Sequence, residues 1–213
     1  MSKVVIRTDD VDGFFARAKD AARRADRGQA FEGKVTLAFE DPQRMFAVLS
    51  EARRRLMLEV MDAVVGEVGA GRTGVRLSPV TPANDLGQDS DAQALYGHVV
   101  EKLAPMKLAY LHLIEGATGG PRDAVPFDFE ALRRVFKAAN PAGAWMVNNG
   151  YDRTMAIAAV EQGRADLVAF GKPFISNPDL VRRLRENAAL NEPKRETFYG
   201  GGAAGYTDYP VLA

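Results

Sequence analysis

No cysteine occurs anywhere in the 213 residues. Disulfides, thiolate metal sites and cysteine nucleophiles are thereby excluded together. Histidine is almost as scarce. His98 and His112 are the only two, too few for a histidine-built metal centre, and no metal is expected. Charge of one sign is not in excess either. Lys and Arg number 28 against 28 Asp and Glu, so nothing global draws the chain to nucleic acid or to an anionic membrane. No apolar run approaches the roughly 18 residues of a membrane span. Asp9, Asp10 and Asp12 interrupt the N-terminus where a signal peptide needs an apolar stretch. A soluble, cytoplasmic protein is the expectation. What is present is ordinary for a globular chain, 46% hydrophobic and 26% charged, and long enough to bury a sizeable core.

The most informative stretch lies late, from Leu167 to Leu180. Leu167 to Phe170 is a short apolar run, as expected of a parallel strand covered on both faces. Gly171 lets a ligand approach the backbone closely, and Lys172 sets a cation at the strand's carboxyl end. Asn177, with Pro178 and Asp179 behind it, predicts a helix start. A glycine and a cation at such a place suggest an anion, most often phosphate. An ordinary βα turn with a surface lysine reads equally well from these residues alone.

The rest of the chain follows a strand, loop, helix rhythm. Lys3–Arg7 and Val35–Phe39 read as strands, with an amphipathic helix from Asp9 to Arg27 between them. Asp41 and Pro42 open a long helix whose stripe runs through Met45, Leu49, Ala52, Leu56, Val60, Val64 and Val68 to Gly69. Further strands are expected at Thr73–Ser78, Leu108–Ile114, Ala144–Asn148 and Asp166–Phe170. Helices are expected near Asp91–Leu103, Asp128–Ala139 and Asp152–Gln162, the last ended by Gly163, and from Pro178 to about Leu190. This alternation predicts βα units in a parallel sheet or barrel. Long loops, marked by Pro79, Pro82 and Gly87 and by Gly116, Gly119, Gly120 and Pro121, follow the first two of these four strands, where barrel enzymes keep their chemistry.

Several residues could carry function. Arg76 sits inside an apolar strand, so it is either paired within the fold or turned to a ligand. Asn149-Gly150, before Asp152, offers backbone N–H donors at a helix start, or is a plain turn. His112 reads as a hydrogen-bonded core histidine rather than a catalytic one, and Glu115 as a general acid/base or, in preference, a carboxylate that anchors a loop. Tyr199, Tyr206 and Tyr209 could stack on a ring or pack the tail. Arg53-Arg54-Arg55 reads as a solvated helix face, since one basic turn neutralises few phosphates.

Together, the segments from about Glu51 to the C-terminus resemble the Old Yellow Enzyme family, the FMN-dependent NAD(P)H alkene reductases. The resemblance is carried by Glu51–Val60, Gly74-Val75-Arg76-Leu77-Ser78-Pro79, Tyr110-Leu111-His112 and Asn148-Asn149-Gly150-Tyr151-Asp152. It continues through Phe170–Leu180, Phe198-Tyr199 and Gly205-Tyr206-Thr207-Asp208-Tyr209-Pro210. It implies that Arg76 contacts the flavin ring, that Asn149-Gly150 and Gly171-Lys172 hold the phosphate, and that Tyr199 borders the flavin. Many members carry Arg where this chain has Lys172, so charge is kept and the bidentate fork is lost. The implied fold is a partial (β/α)8 barrel over residues 51–213, matching strands five to eight, behind an α/β extension over residues 1–50. The family's substrate-gripping His/His or His/Asn pair and its proton-donating tyrosine would belong to the first four strands. No candidate for them precedes residue 51, a segment without His or Tyr. No catalytic residue is therefore assigned.

Residues 3–56 are similar to the start of antitoxin-like transcriptional regulators, through Lys3–Arg7, Asp12–Arg17, Ala25–Gly28, Val35–Pro42 and Leu49–Arg53. The winged helix that follows in that family has no counterpart here. Three functions stay open: an FMN oxidoreductase derivative with impaired catalysis, a non-catalytic protein that dimerises through open half-barrel edges, and a DNA-associated regulator, the weakest of the three. The expected partners are FMN and a second copy of the chain.

Overall fold

The structure is a computed structural model that describes residues 2–7, 33–38, 42–82, 89, 91–123, 125–198 and 202–213, with side-chain surroundings from residue 55 onward. The helix expected from Asp9 to Arg27, the loop marker Gly87 and Tyr199 lie outside the described residues. The chain forms two compact units, Met1–Val64 and Val65–Ala213.

In the first unit, β1 (Ser2–Arg7) pairs in parallel with β2 (Gly33–Ala38), in the register Val4↔Val35 and Ile6↔Leu37. Helix α1 (Pro42–Val68) begins there and runs into the second unit. Its bounds agree with the sequence signals, proline near the start and Gly69 just past the end. The seam expected near residue 50 therefore falls inside one continuous helix. The apolar stripe is not buried as its spacing suggests. Leu56 is 72% exposed and Val60 50%, while Met61 is buried. Spacing marks a face as apolar, but only a layer placed over that face can bury it.

The second unit is built on a parallel four-stranded sheet in the order β3-β4-β5-β6. The strands are β3 (Gly74–Leu77), β4 (Tyr110–Ile114), β5 (Ala144–Asn148) and β6 (Leu167–Val168). Helix α2 (Ala92–Leu103) joins β3 to β4, α3 (Phe129–Ala139) joins β4 to β5, and α4 (Arg153–Glu161) joins β5 to β6. Parallel neighbours need such crossovers. Helices α3 and α4 begin where local chemistry dictates. Asp128 accepts from the Ala131 N–H and Asp152 from the Met155 N–H, each at 2.8 Å, which satisfies an orphan donor of the first turn.

One face of the sheet carries the core. Leu77, Leu111, Leu113, Trp145 and Val147 alternate along the strands and are buried. Val99, Val100 and Leu103 of α2 and Leu132 and Phe136 of α3 are buried with them, and the Phe136 and Trp145 rings lie 6.0 Å apart. Each such side chain contributes about 1.5–3 kcal/mol by leaving water. The far edge is fixed by Asp166, which accepts from the Trp145 N–H at 2.7 Å and from Lys137 Nζ at 3.1 Å. Burial pushes the Asp166 carboxyl up, but these two donors outweigh it and hold it below the usual range.

The other face is only partly covered, with Tyr110 and Leu167 exposed and Ile114 buried, and the structure corrects two expectations. Strand β6 is only Leu167–Val168, and Leu167 is 45% exposed rather than covered. Asn177 does not cap a helix that starts at Pro178. A short helix α5 (Lys172–Ser176) precedes it, and α6 (Leu180–Glu186) begins after Asp179. Asn177 is instead fully buried. It donates to the Pro173 carbonyl and accepts from the Asn191 N–H at 2.7 Å, which ties α5 to the chain beyond α6. The tail is held in the same way. Buried Arg183 donates to Asp179 Oδ1 at 2.7 Å and to the carbonyls of Ala189 and Pro210, and Asp179 Oδ2 accepts from the Leu212 N–H. Among the described residues no helix is long and apolar enough to cross a membrane.

Candidate functional site

All four strands of the second unit run the same way, so their carboxyl ends share one rim. The register places Arg76, His112 and Met146 in one row across β3, β4 and β5, with Leu167 completing it on β6. These residues alternate with the buried set and stand on the open face. Arg76 is exposed and has no ion-pair partner among the described residues. On the same face, His112 Nε2 and, one pleat further on, Asn148 Oδ1 are buried without a well-aligned hydrogen-bond partner. Burial and the Arg76 charge both disfavour the imidazolium and lower the His112 pKa, while the nearby Asn148 side chain partly opposes them. His112, Asn148 and the exposed Arg76 guanidinium make this part of the face polar.

Strands β5 and β6 are direct neighbours, paired Met146↔Leu167 and Val147↔Val168. The Ala169 N–H extends the pairing to Val147 O at 2.9 Å. The turns that follow, Asn149-Gly150 and Gly171-Lys172, therefore emerge side by side. Gly150 has φ +66°, a conformation that favours glycine. Gly171 differs. Its φ is negative, and a Cβ built on it would meet nothing within the chain, so neither strain nor internal packing demands glycine there. Lys172 is exposed at the first position of α5. The N–H groups of Gly150 and Gly171 have no acceptor among the described residues.

Asn149 is the unusual member of this group. It is a buried non-glycine residue at φ +113°, a conformation that costs on the order of 1–3 kcal/mol. Its side chain is turned into the fold. Nδ2 donates to the carbonyls of Glu115 at 2.6 Å and Ala117 at 2.9 Å, and Oδ1 accepts from the Gly119 N–H at 3.0 Å. Beside it, the Tyr151 hydroxyl donates to Glu115 Oε2 at 2.6 Å. Arg122 Nη1 lies 3.6 Å from the same oxygen, and its guanidinium carbon sits 4.6 Å from the Tyr151 ring centroid. Burial first, and then the Glu115 carboxylate, push the Tyr151 hydroxyl pKa up, so it stays a donor. Glu115 is thus an anchor of the β4 loop, as its position at a strand end suggested. Sequence reasoning missed Tyr151 and Arg122, since nothing in the sequence signals that the β4 loop folds Arg122 back onto Glu115 or that the β5 turn brings Tyr151 to the same carboxylate.

The structure thus brings Asn149, Gly150, Gly171 and Lys172 to the adjoining carboxyl ends of β5 and β6, with Arg76 on β3, two strands from β5. Tyr199 is outside the described residues. The family model described as "NADH:flavin oxidoreductase / NADH oxidase family" matches residues 49–191. A putative 12-oxophytodienoate reductase 12 of Oryza sativa subsp. japonica is 45% identical over 170 residues, 75% of this chain. A 12-oxophytodienoate reductase-like protein of Solanum lycopersicum is 37% identical over 161 residues, also 75% of this chain. The chain spans only 40% and 41% of the lengths of these two relatives. The old yellow enzyme from Trypanosoma cruzi superposes with a TM-score of 0.68 at 36% identity, over 77% of this chain and 41% of that one. Morphinone reductase superposes with a TM-score of 0.69 at 35% identity, over 96% of this chain and 57% of that one. This chain belongs to the NADH:flavin oxidoreductase / NADH oxidase family, whose cofactor is FMN.

Proposed function

We propose that this chain forms the phosphate side of an FMN site of the Old Yellow Enzyme type, with its four-stranded sheet matching strands five to eight of a (β/α)8 barrel. The observation that carries the reading is the pair of glycine turns, each with an N–H lacking an acceptor among the described residues, leaving adjacent strands β5 and β6 beside the exposed Lys172. The residues present fit the cofactor. Gly150 and Gly171 offer backbone N–H groups to the phosphate, Lys172 neutralises its charge, and the open face supplies Arg76 and the unsatisfied atoms of His112 and Asn148 toward the ring. Tyr199 borders the flavin in this reading. When bound, FMN supplies hydride transfer between NAD(P)H and an activated alkene.

A lone copy of this chain does not sustain efficient alkene reduction, because the resemblance assigns the substrate-gripping His pair and the proton-donating tyrosine to strands outside this sheet. FMN titration of purified protein tests the reading. Saturable quenching of flavin fluorescence, with one FMN held per chain, is expected. A preparation that stays colourless and leaves the fluorescence of added FMN unchanged overturns it. Anaerobic NADPH oxidation with cyclohexenone then tests the catalytic part, where turnover near that of full-length relatives would be contrary.

A second reading concerns assembly. Among the described residues β3 and β6 each pair on one side only, and Leu167 and Tyr110 stand exposed on the open face. Unpaired edges and uncovered apolar surface favour self-association, so the chain is proposed to form homodimers through its sheet.

A further inference from the structure

The β4 loop, Glu115–Arg122, is tied by side chains to both of its neighbours on the rim. Thr81 Oγ1 of the preceding loop donates to Gly116 O at 3.1 Å. Asn149, in the following turn, reaches Glu115 O, Ala117 O and the Gly119 N–H. The Glu115 N–H donates back to Asn148 O at 3.1 Å. Within the loop, Ala117 N–H donates to Pro121 O and Gly120 N–H to Ala117 O. A Cβ at Gly116 would lie 2.3 Å from Arg122 Cα, so the loop is closed against itself. Glu115 is held in turn by the Tyr151 hydroxyl and faced by Arg122. Every polar atom of the Asn149 amide is engaged inward, so this side chain has no donor directed at a phosphate. Yet it sits in a strained backbone conformation that immediately precedes Gly150.

We propose that Asn149, Glu115 and Tyr151 are positioning residues, which clamp the β5 turn to the β4 loop and thereby aim the Gly150 N–H at the FMN phosphate. The inference rests on the FMN reading and refines it. The contribution of Asn149 comes through the geometry it imposes on its neighbour, not through contact with the ligand. A clamp of this kind acts on the phosphate end of the cofactor alone, because it holds the turn and leaves the open sheet face, where Arg76 and His112 stand, untouched. Preorganisation of a donor by supporting hydrogen bonds is what separates a binding turn from a plain one.

The test is a flavin titration of the full chain as wild type, Asn149→Gly, Glu115→Gln and Tyr151→Phe, with FMN and with riboflavin, which lacks the phosphate. Asn149→Gly removes the amide without leaving another side chain strained at positive φ, so the loss of the clamp is read without added backbone strain. Tyr151→Phe removes one hydroxyl and keeps the ring, so it reports even if a harsher variant melts early. Thermal melts accompany each titration. The Kd for FMN is expected to rise about tenfold in Asn149→Gly and Glu115→Gln and less in Tyr151→Phe, a loss of the size of a charge-assisted hydrogen bond. The riboflavin response should match that of wild type throughout. Equal FMN affinity in all four chains overturns the proposal, and so does a parallel loss of FMN and riboflavin, which would mark general damage to the site. Failure of wild type to bind FMN would instead sink the cofactor reading, and this inference with it.

Discussion

At the scale of single residues, Lys172 and His112 have the sharpest consequences. Lys172 presents one strongly hydrated charge, whereas arginine would present a planar fork that meets two phosphate oxygens at once. Lys172→Arg is expected to tighten FMN about threefold to tenfold, and Lys172→Ala to loosen it by a similar factor, both read by fluorescence titration. Arginine binding no tighter than lysine would show that this side chain does not reach the phosphate. His112 bears on stability. Its pKa in the folded chain lies below the ordinary 6.5, so as pH falls below about 6.5 the unfolded chain takes up its proton first. The stabilisation from keeping this imidazole neutral is complete above that pH and declines through the acid window beneath it. Thermal melts between pH 7.5 and pH 5 should show a shallower decline for His112→Gln than for wild type. Superimposable pH profiles would place the imidazole in an environment no different from water.

At the scale of elements, the second unit depends on the contact between α3 and β5. Phe136 and Trp145 are both fully buried and their rings meet at 6.0 Å. Phe136→Ala leaves a cavity that neighbouring side chains cannot close, and should cost about 3–5 kcal/mol, measured as a fall in the urea midpoint. Loss of under 1 kcal/mol would mean that the helix layer carries little of the stability. The start of α3 is a smaller term. Asp128 satisfies the Ala131 N–H, and such a cap is worth about 1 kcal/mol. Helix α6 is held mainly by its neighbours, since it has only seven residues, too few to be stable alone. Arg183, Asp179 and Asn191 bind it to the returning tail at Pro210 and Leu212.

At the scale of the whole molecule, several large apolar side chains stand exposed among the described residues. Leu56 and Val60 stand out on α1, and Tyr110 and Leu167 on the open sheet face. Light scattering is expected to give a mass above the 23.1 kDa of one chain. Leu167→Lys places a charge on the β6 edge and should lower the associated fraction. A wild-type chain that stays monomeric at high concentration would exclude self-association through the sheet. Shared FMN chemistry and assembly are separable, because the first is read on the phosphate rim and the second on the strand edges.

Much of the architecture was legible in the sequence because it is decided within a turn or two of chain. The strand expected at Ala144–Asn148 has those bounds. Asp128 and Asp152 open their helices, and Gly163 follows α4 at φ +66°. Caps, periodicity and glycine conformations act between near neighbours, so sequence order alone determines them. The same holds for the two glycine turns, whose positions after apolar strands mark the rim. Tertiary structure decided the rest. It turned Arg76 outward, drew Asn177 away from a cap to Asn191, left the stripe on α1 uncovered and engaged the Asn149 amide with a loop about 30 residues earlier. Each of these depends on which strands lie side by side and in what register, and a hydrogen bond between distant segments exists only once that register brings its donor within 3 Å of its acceptor.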